Sequence, residues 1–239
     1  MKRNAKIVCT LGPSTDGEKA ISTLIEAGMD VARLNFSHGT HESHARMIAL
    51  IRKCSSDSGV PVAILQDLQG PKLRVGVLPA NGIQLTTGQV LKLFVEGSGV
   101  ADFSGAEISL PLEVPNLARG VKPGNRILLA DGQMELSVTE IKGETVYTKV
   151  ITGGRLTSNK GVNLPGADLG IPSFTEKDRE DLIFGLQHLV DYVAISFVET
   201  AEDIRVVRSA IKEISPNGFY PPIIAKLERP EAVSNLHEI

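Results

Sequence analysis

Three apolar runs of this 239-residue chain each stop in a group of charged and amide side chains. One ends in Val31-Ala-Arg33-Leu-Asn35-Phe-Ser37-His38-Gly39 and one in Gln66-Asp67-Leu-Gln69-Gly70-Pro71-Lys72-Leu-Arg74. The third ends in Ile224-Ala-Lys226-Leu-Glu228-Arg229. Together they supply the cations Arg33, Lys72, Arg74, Lys226 and Arg229 beside the carboxylates Asp67 and Glu228. Several cations facing a few carboxylates suit a substrate that carries phosphate and carboxylate groups and is taken up with a divalent metal. A lysine at a barrel strand end can instead form a Schiff base with a carbonyl substrate. Spacing alone leaves both chemistries open. Each residue also has a plainer use: Asp67 as a loop cap, His38 as a turn residue before Gly39, Gly70-Pro71 as a hinge, Lys160 as a solvated loop lysine. Their coincidence at successive strand ends favours a site, because functional residues of parallel β/α folds gather at the C-terminal ends of strands.

The elements that must position these residues alternate in texture. Residues 1–71 and 162–239 repeat the order apolar strand, loop, amphipathic helix, with strands expected over 6–10, 30–35, 60–66, 191–197 and 222–227. These short runs show little alternation, as expected of parallel strands covered on both faces. Thr15 is expected to cap a helix carrying Ile21, Leu24 and Ile25, and Thr40 one carrying Ile48 and Ile51. Ser173 with Glu176 forms the pattern of a capping box, and Thr200 precedes Ile204, Val207 and Ile211 at helical spacing. Repeated β-α units of this kind imply a parallel sheet, open or closed. Residues 72–161 lose the helical period and carry turn signals at Asn81-Gly82, Thr87-Gly88, Pro123-Gly124, Asp131-Gly132 and Lys142-Gly143. That segment is expected to be an inserted domain of short antiparallel strands.

Composition limits the functional classes. The formal net charge is −3 and the isoelectric point about 6.0, so there is no basic field for nucleic acid or an anionic membrane. No apolar stretch reaches a membrane span, and the expected location is the cytoplasm. Cys9 and Cys54 have neither metal-ligand nor disulfide-framework spacing.

Five longer motifs then line up in one order. Lys6-Ile-Val-Cys-Thr-Leu-Gly-Pro13, Ala32-Arg-Leu-Asn-Phe-Ser-His-Gly39, Asp67-Leu-Gln-Gly-Pro-Lys-Leu-Arg74, Lys160-Gly-Val-Asn-Leu-Pro-Gly166 and Ala225-Lys-Leu-Glu228 closely resemble the pyruvate kinase family. Several long motifs in the right order are far more specific than any one of them. The resemblance implies an α/β fold, a partial TIM-type (β/α)8 barrel interrupted by a small all-β barrel domain. It also implies glycolytic phosphoryl transfer from phosphoenolpyruvate to ADP, giving pyruvate and ATP, with Mg²⁺ or Mn²⁺ and a homotetrameric full-length protein. By resemblance, Arg33 and Lys226 are the catalytic cations, and Ser196 and Phe197 line the substrate pocket. Arg74, Lys160, Asn35 and His38 approach the nucleotide, and Glu228 is a ligand of the divalent ion. Asn35, Ser37, Asp67 and Leu68 correspond to a potassium site.

Two departures from the family pattern carry further expectations. Potassium-dependent members have a threonine after the aspartate and a glutamate after Gly-Pro, where this chain has Leu68 and Lys72. The Lys72 ammonium is therefore expected to replace the monovalent ion, making potassium dispensable. The family's next segment, Ala-Arg-Gly-Asp-Leu-Gly, supplies a second metal carboxylate and falls beyond Ile239. The chain is thus expected to be an N-terminal portion, with about five of the eight strands of a closed barrel, and inactive alone. The alternatives are a non-catalytic phosphate- or nucleotide-binding remnant of the same fold and a lysine-dependent aldolase.

Overall fold

The computed structural model describes residues 4–71, 73–104, 107–167, 169–215 and 218–239. The chain divides into two compact units, Met1–Pro71 with Pro172–Ile239, and Lys72–Ile171.

The first unit contains strands β1 (Val8–Leu11), β2 (Val31–Asn35), β3 (Ala63–Asp67), β4 (Tyr192–Ile195) and β5 (Ile223–Ala225). They form one parallel sheet in chain order, with helices α1 (Glu18–Glu26), α2 (His41–Ser58), α3 (Glu176–Gln187), α4 (Ala201–Ile214) and α5 (Pro230–Ser234) in the connections or after β5. This is the partial (β/α)8 barrel. Strand positions are apolar where helices cover them: Ile21, Ile25, Ile48 and Ile51 of α1 and α2 pack with Ala32, Leu34 and Ile64 of the sheet. Val193 and Ile195 join the same core with Val207 and Ile211 of α4. The outer edges of β1 and β5 have no strand partner among the described residues, and Val8 and Ile224 on them are exposed.

Two helix starts differ from the sequence expectation. Thr15 closes a single 3-10 turn, Pro13–Thr15, its hydroxyl accepting from the Gly12 N–H at 3.0 Å, and α1 begins after Gly17. The cap of α3 is Thr175 with Asp178, not Ser173 with Glu176. Both pairs have the right spacing, but Ser173 donates its hydroxyl to Asp203 instead, at 2.5 Å. Thr40 caps α2 as expected, and Thr200 is the N-cap residue of α4.

Among the described residues, the second unit is all β apart from one short helix, Leu117–Gly120. Its seven-stranded sheet runs Val162–Asn163, Arg126–Leu129, Met134–Lys142, Thr145–Thr152, Val90–Val95, Glu107–Glu113, Arg74–Val75. The two ends of that order meet through the Arg74–Gly161 bridge, with Val75 N–H on the Lys160 carbonyl at 2.8 Å and Asn159 N–H on the Val75 carbonyl at 2.9 Å. Closure removes the free edges that an open sheet of short strands exposes. A separate ribbon pairs Ile83–Leu85 with Gly154–Leu156. Not every pair is antiparallel: Val90–Val95 and Glu107–Glu113 run parallel. The unit also extends to Ile171 rather than residue 161, because Leu164 and Leu169 are buried in its core. No helix among the described residues is long and apolar enough to cross a membrane.

Asp178 ties α3 to the end of the β3 segment. Its fully buried carboxylate accepts from Gly70 N–H at 2.9 Å, Thr175 N–H at 2.9 Å and the Thr175 hydroxyl at 2.6 Å. Asp178→Ala strips these donors of their acceptor, and unsatisfied buried donors cost about 1–3 kcal/mol each. The expected loss is about 3 kcal/mol, seen as a lower urea midpoint with an unchanged slope. A midpoint equal to that of the native chain would show that Asp178 clamps nothing.

Candidate functional site

The register of the parallel sheet decides which side chains meet. Thr10 pairs with Arg33, Asn35 with Asp67, and Asp67 with Ala194, while Lys226 N–H bonds the Ile195 carbonyl at 3.0 Å. The residues ending β1, β2, β3, β4 and β5 therefore lie along one edge, the C-terminal one.

At that edge Asp67 is the hub. Its side chain is about 2% exposed, and a buried carboxylate needs partners. Oδ2 accepts from Arg33 Nε at 2.7 Å and lies 2.5 Å from a terminal guanidinium nitrogen. The Lys226 ammonium lies 2.9 Å from Oδ1, an ion pair off the hydrogen-bonding direction. Arg33 is fixed a third time by its other terminal nitrogen, which donates to the Thr10 hydroxyl at 2.8 Å. A guanidinium has five N–H groups, so Arg33 retains donors for an incoming anion. Thr10 was not among the residues expected at the site; a lone hydroxyl in an apolar run is visible only once the strand register is known.

Glu228 stands next to this pair. Its Oε1 lies 3.4 Å from Lys226 Nζ, and its Oε2 accepts from the Phe197 backbone N–H at 3.0 Å. The set is balanced, two cations against two carboxylates, with Asp67 buried and Glu228 open to solvent at 39%. A Mg²⁺ ion ordinarily takes one or two carboxylates and completes its shell with waters and substrate oxygens. Glu228 fits that pattern. Both Asp67 oxygens face cations, and no group of three or more His, Cys, Asp or Glu among the described residues is placed to hold a metal by itself.

The remaining expected residues fall into two groups. Ser196 is buried and donates its hydroxyl to the Leu68 carbonyl at 2.6 Å. Asn35 Oδ1 accepts from Ser37 N–H at 3.0 Å. The oxygens of Asn35, Asp67 and Leu68, all in the expected potassium set, thus already engage protein groups. Gly70 lies on the same floor with φ +67, and a Cβ there would come within 3.0 Å of the Phe197 ring and 3.1 Å of Ser196 Cβ. His38 is exposed, and its carbonyl faces His44 Nε2 at 2.9 Å. Arg74 and Lys160 belong to the second unit, where the Arg74–Gly161 bridge sets them side by side. Lys72 lies outside the described residues.

Comparison with known proteins agrees with these motifs. The family model described as "Pyruvate kinase, barrel domain" matches residues 2–239, so the chain belongs to that family. It is 41% identical to a pyruvate kinase of Corynebacterium efficiens over all of this chain and 49% of the relative. It is 40% identical to one of Mycobacterium tuberculosis, covering 49% of it, and 39% identical to one of Geobacillus stearothermophilus, covering 40%. The chain spans at most about half the length of these curated relatives.

The loop bearing His38 generates a pH prediction. Burial pushes the His44 imidazole below its ordinary value of 6.5, and His41 and Lys177 push the same way, against the His38 carbonyl and Asp181. The ring is stacked on Phe36 at 4.0 Å. Between the lowered value and 6.5 the unfolded chain binds more protons than the folded one, so stability rises with pH there. The contribution is complete above 6.5 and is lost as pH falls below it. His44→Phe keeps the stacking and removes the titration; its urea midpoint is expected to vary less between about pH 5 and 6.5. An identical slope for the two proteins would exclude His44 as the source.

Proposed function

We propose that this chain carries the phosphoryl-transfer part of a pyruvate kinase, which moves the phosphoryl group of phosphoenolpyruvate to ADP as a cytoplasmic step of glycolysis. The observation that supports the reading best is the convergence of Arg33, Asp67, Lys226 and Glu228 at one sheet edge. The aldolase alternative lacks comparable support, because Lys226 is engaged in ion pairs with the carboxylates of Asp67 and Glu228. A Schiff-base lysine has to lose its proton.

In this reading the phosphorus of the substrate is attacked by a terminal phosphate oxygen of ADP while its bond to the enol oxygen breaks. The electron pair stays on the enolate, which takes a proton at carbon to become pyruvate. Little covalent help is needed from protein; preplaced cations supply the catalysis. The unused Arg33 N–H groups hold the phosphoryl oxygens. Lys226 places a point charge where the enolate oxygen gains charge. Glu228 would hold Mg²⁺, which when bound would supply positive charge against the phosphate oxygens. Arg74 and Lys160 serve the nucleotide phosphates. Ser196 supports the floor of the site through Leu68.

In an assembly that turns over, Lys226→Met, which removes the charge but keeps most of the stem, should reduce the rate at least about a thousandfold. The polypeptide 1–239 by itself is expected to form no ATP, because β1 and β5 each lack a strand partner on one side among the described residues and Glu228 is the more exposed of the two carboxylates at the site. Mixed with the part of the Corynebacterium efficiens enzyme that this chain does not match, it is expected to form ATP from phosphoenolpyruvate and ADP in a coupled assay, and Lys226→Met should abolish the signal. Tight phosphoenolpyruvate binding with no ATP in any mixture would favour the non-catalytic remnant.

The same assembly tests the monovalent ion. The Asn35, Asp67 and Leu68 oxygens are already engaged, and by the family resemblance of the sequence the Lys72 ammonium would take the place of the monovalent ion. Adding potassium is expected to raise the rate less than about twofold, whereas Lys72→Glu should create a clear potassium requirement. Strong stimulation of the native form would refute this.

A further inference from the structure

We propose that Arg229 is a positioning residue for Glu228, acting through Phe197; the proposal rests on the reading of Glu228 as a divalent-ion ligand.

Phe197 directly follows β4 and Ser196, and its φ is +55, in the left-handed region. A residue with a side chain adopts that conformation at a cost of about 1 kcal/mol or more, so its surroundings must enforce it. At this turn the Phe197 N–H donates to Glu228 Oε2 at 3.0 Å. This is the aligned hydrogen bond that fixes Glu228, since Lys226 lies farther off, at 3.4 Å.

What enforces the turn is packing on the Phe197 ring. The ring lies beside Gly70, where an added Cβ would approach Phe197 Cδ2 to 3.0 Å. The Arg229 guanidinium lies 5.6 Å from the ring centroid, within cation–π range. Arg229 is only 17% exposed and is ion-paired with Glu199. The Glu199 carbonyl in turn accepts from the Asn235 side chain at 2.9 Å. Consecutive residues therefore grip Phe197 from two directions, Glu228 on its N–H and Arg229 on its ring. A partner that orients a metal ligand commonly changes metal affinity 10–100-fold when removed.

The alternative use of Arg229 is a tie between the end of β4 and α5, which would move stability and leave Glu228 alone. Two readouts in the full chain separate the cases. In amide hydrogen exchange followed by NMR, Arg229→Met is expected to speed exchange at Phe197 about tenfold with little change at Ile64 or Val193 in the sheet. In Mn²⁺ titrations followed by electron paramagnetic resonance, Arg229→Met should weaken binding about tenfold, with Arg229→Lys intermediate. In a Glu228→Gln background the same substitution should have no further effect on Mn²⁺. Should Arg229→Met unfold the chain, Glu199→Gln, which weakens the hold on Arg229, serves in its place. Unchanged Phe197 exchange overturns the positioning role whatever the metal result. Additive weakening in the double variant overturns it too. Native Mn²⁺ affinity in Glu228→Gln would instead remove the ligand assignment, leaving the exchange result to judge Arg229.

Discussion

A buried carboxylate with two cations on it is the constraint around which the first unit is organised. Asp67 is almost without solvent, and removing one partner of a buried ion pair costs about 3–5 kcal/mol because the remaining charge is stranded. Arg33 from β2 and Lys226 from the residue after β5 must therefore reach it, which requires β2, β3, β4 and β5 to be in the observed register. A slip of one residue would turn Asp67 to the other face of the sheet. Register, the ion pairs and the position of Glu228 are thus one problem. The arrangement also places both cations before any ligand arrives, which is the form of electrostatic help that needs no reorganisation during reaction.

A second layer of contacts holds the floor beneath that hub. Leu68 and Gly70, just past β3, are tied to different elements: the Leu68 carbonyl to Ser196 after β4, the Gly70 N–H to Asp178 in α3. Gly70 permits this through its positive φ and through lacking a Cβ where Ser196 and Phe197 approach. Asp178 has two tasks, capping its own helix at Thr175 and accepting from Gly70. That explains why the helix starts where it does. Ser173 and Glu176 have capping-box spacing too, but Asp178 is the carboxylate that packing buries against the β3 end.

Legibility in the sequence followed the same physics. Arg33, Asp67, Lys226 and Glu228 could be read because polar residues interrupt apolar runs at the point where parallel strands end. Thr10 could not, since one hydroxyl beside Cys9 and Leu11 has no signature without its neighbour Arg33. The ring of Phe197 and the guanidinium of Arg229 meet only through tertiary packing, and nothing in residue spacing predicts a positive φ for phenylalanine. In the second unit the glycine turns marked the strands of residues 85–150 well. Strand direction was not marked, because alternation reads the same whether Val90–Val95 and Glu107–Glu113 run parallel or antiparallel. The end of that unit was misplaced for a related reason: Leu164 and Leu169 look like any loop leucines until the core that buries them is known.

Charge gives the arrangement its functional consequence under the proposed chemistry. Arg33 and Lys226 are already neutralised by Asp67 and Glu228, so these four side chains by themselves offer little net attraction to a ligand that carries both phosphate and carboxylate. A divalent ion on Glu228 would change that sign locally, and substrate oxygens would in turn supply ligands that one carboxylate leaves to water. Each ligand then strengthens the other, and linkage requires the two effects to be equal in free energy. The coupling depends on Glu228 keeping one orientation, since a carboxylate free to swing offers the ion several weak positions in place of one good one. Phe197, turned against its own preference, holds that orientation through its backbone, and so a strained residue without any polar side chain sits at the centre of the electrostatics.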